Sequence, residues 1–111
     1  MRRAVLAAAL ILLAAPPARA ARPEFTLALG PAGFTPPELR VPAGERIVLR
    51  IRNTGPAPVE FESSDLNRER VIPAGGAIVV YAGPLHPGTY AFFDDFHPTL
   101  RGRLIAEGPA R

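Results

Sequence analysis

The sequence predicts an all-β sandwich or barrel of about seven to eight strands. Short apolar or alternating runs are separated along the chain by turns rich in proline, glycine and asparagine, and no stretch keeps a helical period beyond about two turns. The chain also carries 14 prolines. That number argues against a helical bundle, because proline lacks the amide hydrogen that a helix interior requires.

Eight strands are expected in order along the chain. The third shows the clearest pattern, since Ile47, Leu49 and Ile51 alternate with Val48 and two arginines. Such alternation places one face of a strand in the core and the other largely in water. The predicted strands span residues 25–29, 38–41, 46–52, 59–62, 70–72, 77–82, 89–93 and 102–106. Residues 63–69, "SSDLNRE", fit a loop or a single helical turn, with Asp65 read as a cap and Glu69 as part of a solvated face.

Residues 1–20 have the pattern of a secretory signal peptide. Two arginines open the chain, residues 4–15 are apolar, and Ala18 and Ala20 supply the small residues that signal peptidase needs. The apolar run is only about half the ~20 residues that a membrane-spanning helix requires. We therefore expect residues 21–111 to form one exported domain that is periplasmic or secreted.

The charge balance and the lack of cysteine exclude several classes of function. Three of the 13 basic residues fall in residues 1–20, so the predicted mature chain carries ten of each sign and gives no support for nucleic-acid binding. The sequence has no cysteine. The chain therefore forms no disulfide and offers no thiolate as nucleophile or metal ligand.

Two segments carry a family resemblance. The first is "VPAGERIVLRIRNTG" followed shortly by "VEFES", and the second is "GPLHPGTYAFFDDFHPTLRGRLIAE". Together they resemble the cupredoxins, and more narrowly the small cupredoxin-like proteins that accompany periplasmic ferrous-iron permeases. The resemblance implies a Greek-key β-sandwich with a metal at one pole.

The resemblance also implies which residues stand where the family has its copper ligands. The first histidine falls on or near Glu60, the cysteine on Asp94, the second histidine on His97 and the methionine on Leu100. Only one of the four ligands is retained. A type 1 copper site depends on a Cu–thiolate bond, so the sequence excludes an ordinary blue-copper electron carrier.

The remaining ligand candidates are Glu60, Asp94 and His97, with Glu62 and Asp95 close enough in sequence to contribute. Carboxylates with one imidazole suit harder ions such as Fe(III), Mn(II) or a type 2 Cu(II) better than Cu(I). We expect the bound metal to be Cu(II) or Fe(II)/Fe(III). If residues 59–62 alternate as a strand, Glu60 and Glu62 both face away from the core, and Glu60 reaches an inward pocket only where the strand end twists.

Each candidate also has a purely structural interpretation. His97 fits a solvated residue at a strand end, and Asp94 and Asp95 fit turn formers, although one of them can also orient the imidazole. His86 lies in a proline-flanked turn that we expect at the surface. Glu60 is equally compatible with a cross-strand ion pair to an arginine. The arginines on neighbouring predicted strands are Arg50, Arg52, Arg101 and Arg103.

Two functional hypotheses follow. The first is a periplasmic metal-binding protein for copper and/or iron, accessory to ferrous-iron uptake, with an inner-membrane iron permease and its periplasmic iron-binding protein as partners. It binds the metal or oxidises it, and plain binding is favoured over ferroxidase-like activity because no second redox centre is visible. A homodimer would complete a metal site for which one chain supplies only one imidazole and two carboxylates. The alternative is a metal-free cupredoxin-fold module that docks on a membrane or periplasmic partner through residues 63–69 and 94–98.

Overall fold

The computed structural model describes residues 2–13 and 22–108, and nine β-strands in two sheets make up the regular structure of these residues. No helix occurs in the described ranges, so none there is long and apolar enough to span a bilayer. The strands are β1 (Glu24–Gly30), β2 (Gly33–Thr35), β3 (Glu38–Pro42), β4 (Ile47–Asn53), β5 (Val59–Ser63), β6 (Arg68–Ile72), β7 (Ala77–Ala82), β8 (Gly88–Asp94) and β9 (His97–Glu107).

The two sheets have strand orders β2-β1-β4-β7 and β3-β9-β8-β5-β6. Strand β1 runs parallel to β4, and β3 runs parallel to β9, whereas the other neighbours are antiparallel. The chain passes repeatedly from one sheet to the other, as it does in packed sandwiches. The all-β sandwich predicted from the sequence is therefore confirmed.

All eight predicted strands are present, and one strand was missed. Strand β2 has only three residues, which is too short to show alternation, and it pairs with the end of β1 through Phe34 and Leu29. It is nonetheless important to the core, because the Phe34 side chain is buried. The turn between residues 63 and 68 is not a helix; Asn67 there has a left-handed φ of 54°.

The alternation predicted for β4 is confirmed with one difference. Leu49 and Ile51 are fully buried and point into the core, while Arg50 and Arg52 on the other face are exposed. Val48 also lies on the outer face but is buried. Val48 is paired with Tyr81 of the neighbouring strand β7, and side chains directly opposite each other in an antiparallel pair are close enough to pack together.

Three phenylalanines form the centre of the core between the sheets. The ring centroids of Phe34 and Phe92 are 4.7 Å apart and nearly perpendicular, and Phe61 lies 5.5 Å from Phe92. The Phe34–Phe92 pair has the edge-to-face geometry that aromatic pairs prefer, whereas the rings of Phe61 and Phe92 are tilted by 39°. Gly102 leaves room for the cluster, since a Cβ at that position would lie 2.4 Å from Cε2 of Phe92.

The first part of the chain does not join the sandwich. Residues 2–13 are exposed and have no strand or helix. Residues 14–20 and the expected cleavage bond lie outside the described residues, and the signal peptide stays a prediction.

Candidate functional site

The connection between β8 and β9 is a tight turn. Asp94 at the end of β8 pairs with His97 at the start of β9, which leaves only Asp95 and Phe96 between the strands. Strand β9 begins at His97 and not, as the sequence predicts, at Gly102, so that predicted boundary is wrong. This part of the strand contains a proline at position 98 and shows no alternation, so the sequence does not reveal it. The alternation is missing because the pairing of β9 with β8 shifts its register between residues 93 and 94.

Asp94 is a fully buried carboxylate that holds this turn together. Its Oδ1 atom accepts hydrogen bonds from the amides of Glu60 and Phe96, at 2.9 and 3.0 Å. Its Oδ2 atom lies 2.8 Å from Nδ1 of His97. A carboxylate buried in this way must find donors for both oxygens, and Asp94 finds three within the protein. It therefore organises β5, β8 and the imidazole.

His97 has one ring nitrogen engaged and one directed away from Asp94. The ionised carboxylate only accepts hydrogen bonds, so Nδ1 of His97 donates the proton. In the neutral imidazole the lone pair then lies on Nε2. The side chain is 54% exposed. This carboxylate–histidine arrangement is the one that orients metal-binding histidines in proteins.

An apolar cavity of about 260 Å³ lies beside His97 at the end of the sandwich that Asp94 also lines, and we call this end the inward pole. Asn53 contributes a polar side chain there, but all its groups are engaged: Nδ2 donates to the carbonyls of Ala57 and Ile72, and Oδ1 accepts from Gly55. The other residues that line the cavity are Gly30, Pro31, Gly55, Pro56, Ala57, Val59, Asp94 and Leu100.

The structure divides the five candidate residues into two groups. Asp94 and His97 lie together at the inward pole. Strand β5 alternates without interruption along its register with β6, so Glu60 and Glu62 both lie on the outer face of the sheet. The condition under which Glu60 would reach the pole, a twisted strand end, is not met. Asp95 joins the outer group, since its amide donates to the carbonyl of Glu60.

The outer group is a cluster of carboxylates. Oxygen atoms of Glu60, Glu62 and Asp95 all lie within 4.8 Å of one another. Glu69 on β6 stands directly opposite Glu62. The sequence predicts a solvated face for Glu69. Its position beside Glu62 follows from the four-residue turn between β5 and β6, which brings positions 62 and 69 into register. We name Glu60, Glu62, Glu69 and Asp95 the outer acidic cluster.

Glu60 and Glu62 hold their protons more tightly than isolated carboxylates do, because the pKa of each is raised. Burial raises the pKa of Glu60 to about 6, and a hydrogen bond to Glu69 and the charges of Glu69, Asp95 and Glu62 add to the increase. Burial also raises the pKa of Glu62, with further contributions from Asp95 and Glu69. Both shifts have the signs expected for carboxyl groups that lack a nearby positive charge.

Three of the four arginines that the sequence suggests as ion-pair partners of Glu60 have other partners. Arg50 pairs with Glu24 at 3.3 Å, and Arg103 pairs with Glu38 at 3.1 Å. The Nε atom of Arg101 donates to the carbonyl of Pro98. Among the described residues, no ion pair reaches Glu60, Glu62, Glu69 or Asp95. The ion-pair interpretation of Glu60 is therefore wrong.

Asp65 has a structural role in the turn between β5 and β6. Its Oδ2 atom accepts a hydrogen bond from the amide of Ala91 at 2.8 Å, which ties the turn to β8. Ser63 caps the same turn, because its hydroxyl oxygen accepts from the amide of Leu66. Asp65 is therefore not part of the outer acidic cluster.

Comparison with known proteins gives one family and one relative by sequence. The family model for the cupredoxin-like domain matches residues 3–106. An uncharacterized protein of Rickettsia prowazekii (strain Madrid E) is 40% identical over 73 residues, which are 65% of this chain. The chain covers 58% of the length of that relative.

Solved structures show the same fold at low sequence identity. A purple cupredoxin from Nitrosopumilus maritimus superposes with a TM-score of 0.59 at 16% identity, over 74% of this chain and 98% of that one. The metal-binding domain of the Cu(I)-exporting P-type ATPase of Streptococcus pneumoniae gives 0.63 at 12% identity, over 77% and 85%. Auracyanin B gives 0.66 at 13% identity, over 81% and 92%.

Proposed function

Because the chain belongs to the cupredoxin-like domain family, we propose that it is a metal-binding protein that carries iron or copper on carboxylates in place of sulfur ligands. The ion is cargo and not a resident redox centre. The observation that carries this proposal is the convergence of Glu60, Glu62 and Asp95, each with an oxygen within 4.8 Å of the others.

The residues present do not fit the family's type 1 copper. That site needs a thiolate, and the sequence has no cysteine. Asp94, which stands at the cysteine position of the resemblance, already receives three hydrogen bonds. The contact with Oδ2 of Asp94 occupies the Nδ1 side of the His97 imidazole, so this chain does not have a blue-copper site.

The outer acidic cluster fits a hard or borderline cation. Carboxylate oxygens suit harder ions better than soft Cu(I), and iron and Cu(II) are both compatible with such ligands. The described arginines leave the cluster unneutralised, and burial raises the pKa of two of its members. A divalent ion would offset the mutual repulsion of these carboxylates, which is the physical reason to expect binding there.

We further propose a periplasmic setting and a role in ferrous-iron uptake. The support is the signal-peptide pattern of residues 1–20 and the resemblance to proteins that accompany ferrous-iron permeases. The protein would take up the ion outside the inner membrane and pass it to a permease or a periplasmic iron-binding protein. Binding is favoured over ferroxidase activity, since oxidation of Fe(II) requires an electron acceptor besides the carboxylates.

Calorimetric titration of the purified protein tests the proposal. Fe(II) under argon and Cu(II) in air serve as probes, and excess Mg²⁺ measures how much of the signal is unselective attraction to acidic groups. We expect one ion per chain, retained against Mg²⁺, and, for Glu60→Gln with Glu62→Gln, an affinity lower by more than the about 10–100-fold that loss of an outer-shell partner alone causes. Glu24→Gln, on the opposite sheet and paired with Arg50, is the matched control and should bind as the wild type does.

The second candidate function is a metal-free interaction module. It is favoured by one observation: Phe96, at the tip of the β8–β9 turn and next to Asp95, is 49% exposed. An aromatic side chain beside acidic groups suits a basic protein partner. A titration that shows no stoichiometric ion would favour this candidate over the metal-binding one.

A further inference from the structure

Strand β7 is an open edge of the four-stranded sheet, since β4 is its only strand neighbour among the described residues. We propose that this edge is a docking site at which an extended, acidic segment of a partner protein adds to β7 as a further strand. The juxtaposition that carries the proposal is an uncharged edge strand flanked by exposed arginines. These arginines are Arg50 and Arg52 on β4 and Arg68 and Arg70 on β6.

The other three edges of the two described sheets carry features that discourage strand addition. Strand β2 has only three residues, β3 carries two charged side chains and ends in proline, and β6 carries three charged side chains in succession. Short length, charge and proline are devices by which proteins protect the edges of their sheets. Strand β7, with the sequence AIVVYA, has six residues and none of these features. It is therefore the edge that is suited to pairing with another chain.

The hydrogen bonds of the β4–β7 ladder show which backbone groups of β7 face the open side. The amide of Asn53 donates to the carbonyl of Gly76, and hydrogen-bonded pairs alternate with non-bonded pairs along two antiparallel strands. The even-numbered residues of β7 therefore bond to β4. The amides and carbonyls of Ala77, Val79 and Tyr81 point away from β4.

A contact with β6 agrees with this direction. The Nη2 atom of Arg68, in the other sheet, donates to the carbonyl of Tyr81 at 2.7 Å. In the described ranges, no backbone hydrogen bond reaches the outward amides of Ala77 and Val79. The edge thus keeps a row of donors and acceptors with which an extended segment can pair, as in strand addition to other sheet edges.

The face of the sheet beside β7 is positively charged. A groove of about 500 Å³ there is lined by Arg50, Arg52 and four uncharged residues. Arg50 pairs with Glu24, but Arg52 is exposed and has no ion pair with any described residue. Alternate side chains of a strand added to β7 would lie on the same face as Arg52. Carboxylates at these positions would complement its charge.

A second groove, of about 320 Å³, lies between β6 and β7 and is lined by Arg68, Glu69 and Arg70. Arg68 donates to three backbone carbonyls, and Arg70 has no side-chain hydrogen bond or ion pair within the described part of the chain. Glu69, the one acidic residue of this groove, forms its hydrogen bond with Glu60 of the outer acidic cluster. No carboxylate therefore neutralises the two arginines, and an acidic segment suits both sides of the edge.

Amide hydrogen exchange of the purified protein, followed by NMR in metal-free buffer, tests the proposal. The probe is an acetylated and amidated peptide of alternating glutamate and valine, about eight residues long so that it covers β7. In the free protein we expect slow exchange at Ile78 and Val80, which donate to β4, and fast exchange at Ala77 and Val79. With the peptide, exchange at Ala77 and Val79 should slow at least about tenfold. The matching peptide of alternating lysine and valine should not protect them.

Two variants of Val79 test whether the backbone edge is the binding site. Val79→Pro removes an outward donor and leaves the ladder intact, because the amide of this residue does not bond to β4. Val79→Glu keeps every backbone group and adds a charge that repels the glutamate peptide. Both variants should abolish the protection of Ala77. Slow exchange at Ile78 and Val80 shows that each variant is folded.

A third variant tests the charge. Arg52→Gln with Arg70→Gln should lower the affinity for the glutamate peptide at least about tenfold. Arg101→Gln, on β9 of the other sheet, is the matched control and should bind as the wild type does.

Three results would overturn the proposal. They are exchange at Ala77 and Val79 that the glutamate peptide does not slow, equal protection by the lysine peptide, and binding that survives Val79→Pro. A doubled mass of the protein alone, with slow exchange at Val79 before any peptide is added, would assign the edge to a second copy of the chain and overturn the proposal as well.

Discussion

Glu62 and Glu69 stand directly opposite each other on two adjacent antiparallel strands, and no arginine among the described residues pairs with either of them. Like charges in this position destabilise a sheet. Two more carboxylates, from Glu60 and Asp95, lie next to the pair. The fold thus concentrates negative charge at one place on its outer face.

Removing one charge from the facing pair should stabilise the metal-free protein. In Glu69→Gln the side chain keeps its shape but no longer repels Glu62, so we expect a higher urea midpoint with an unchanged m-value at about pH 7. Glu38→Gln is the opposite control, because Glu38 pairs with Arg40 and Arg103. A lower midpoint for Glu69→Gln in the presence of EDTA would contradict the repulsion.

The stability of the metal-free protein should fall as the pH rises through the pKa of Glu60. The folded pKa is raised from 4.5 to about 6, so between these values the folded state binds more protons than the unfolded state. The stabilising contribution of the protonated group is present at low pH and is lost as the pH rises through about 6. The thermal unfolding midpoint of the wild type minus that of Glu60→Gln should therefore decrease as the pH rises from about 4.5 to 6.5. A difference that is flat over this range would show that Glu60 titrates normally.

Substitution of Asp94 by asparagine should change the tautomer of His97. The amide oxygen can still accept from the amides of Glu60 and Phe96, but the amide nitrogen is a donor and faces Nδ1 of His97. The imidazole must then accept at Nδ1 and carry its proton on Nε2. Nitrogen chemical shifts of the ring by NMR should report this switch, with a loss of stability of about 1–3 kcal/mol. The same shifts in both proteins would mean that Asp94 does not set the tautomer.

Asn53 should be among the most sensitive polar positions. It is buried, and its side chain serves two carbonyls and one amide at the end of β4. Asn53→Ala leaves buried groups without partners, and we expect a loss of about 2–4 kcal/mol in the free energy of unfolding. Asn67→Gly is the comparison, because φ at this exposed turn residue is 54° and glycine adopts that value without strain. Equal losses for the two variants would contradict the role assigned to Asn53.

Gly102→Ala should destabilise the core through overpacking. The added methyl group would lie 2.4 and 2.8 Å from two ring carbons of Phe92 and 3.0 Å from the carbonyl of Pro37. We expect a loss of about 1–3 kcal/mol by chemical denaturation. Because the clash is with Phe92, part of the loss should be recovered in the double variant with Phe92→Leu relative to Phe92→Leu alone. Additive losses would place the strain elsewhere.

The sequence predicted the sandwich because its signals are local. Alternation along β4 and the prolines and glycines between strands depend only on neighbouring residues, and these strands are present. Strand β2 has only three residues, and it forms by pairing with β1, so no local sequence pattern predicts it.

The site was predicted only in part, because its geometry depends on two turns. Alternation of β5 correctly placed Glu60 and Glu62 on one outer face. That Asp95 joins them depends on how tightly β8 turns into β9, and that Glu69 faces Glu62 depends on the length of the turn before β6. The separation of Asp94 and His97 from this group follows from the buried hydrogen bonds of Asp94, which no spacing in the sequence reveals.

The central claim, that the outer carboxylates hold the ion, is tested most directly by one comparison of Fe(II) affinity. The wild type and the variant Glu60→Gln with Glu62→Gln are titrated anaerobically by calorimetry at about pH 7, both shown folded by circular dichroism. We expect one ion per wild-type chain and an affinity in the variant lower by more than the about 10–100-fold that loss of an outer-shell partner alone causes. Equal affinity and stoichiometry in the two proteins would contradict it.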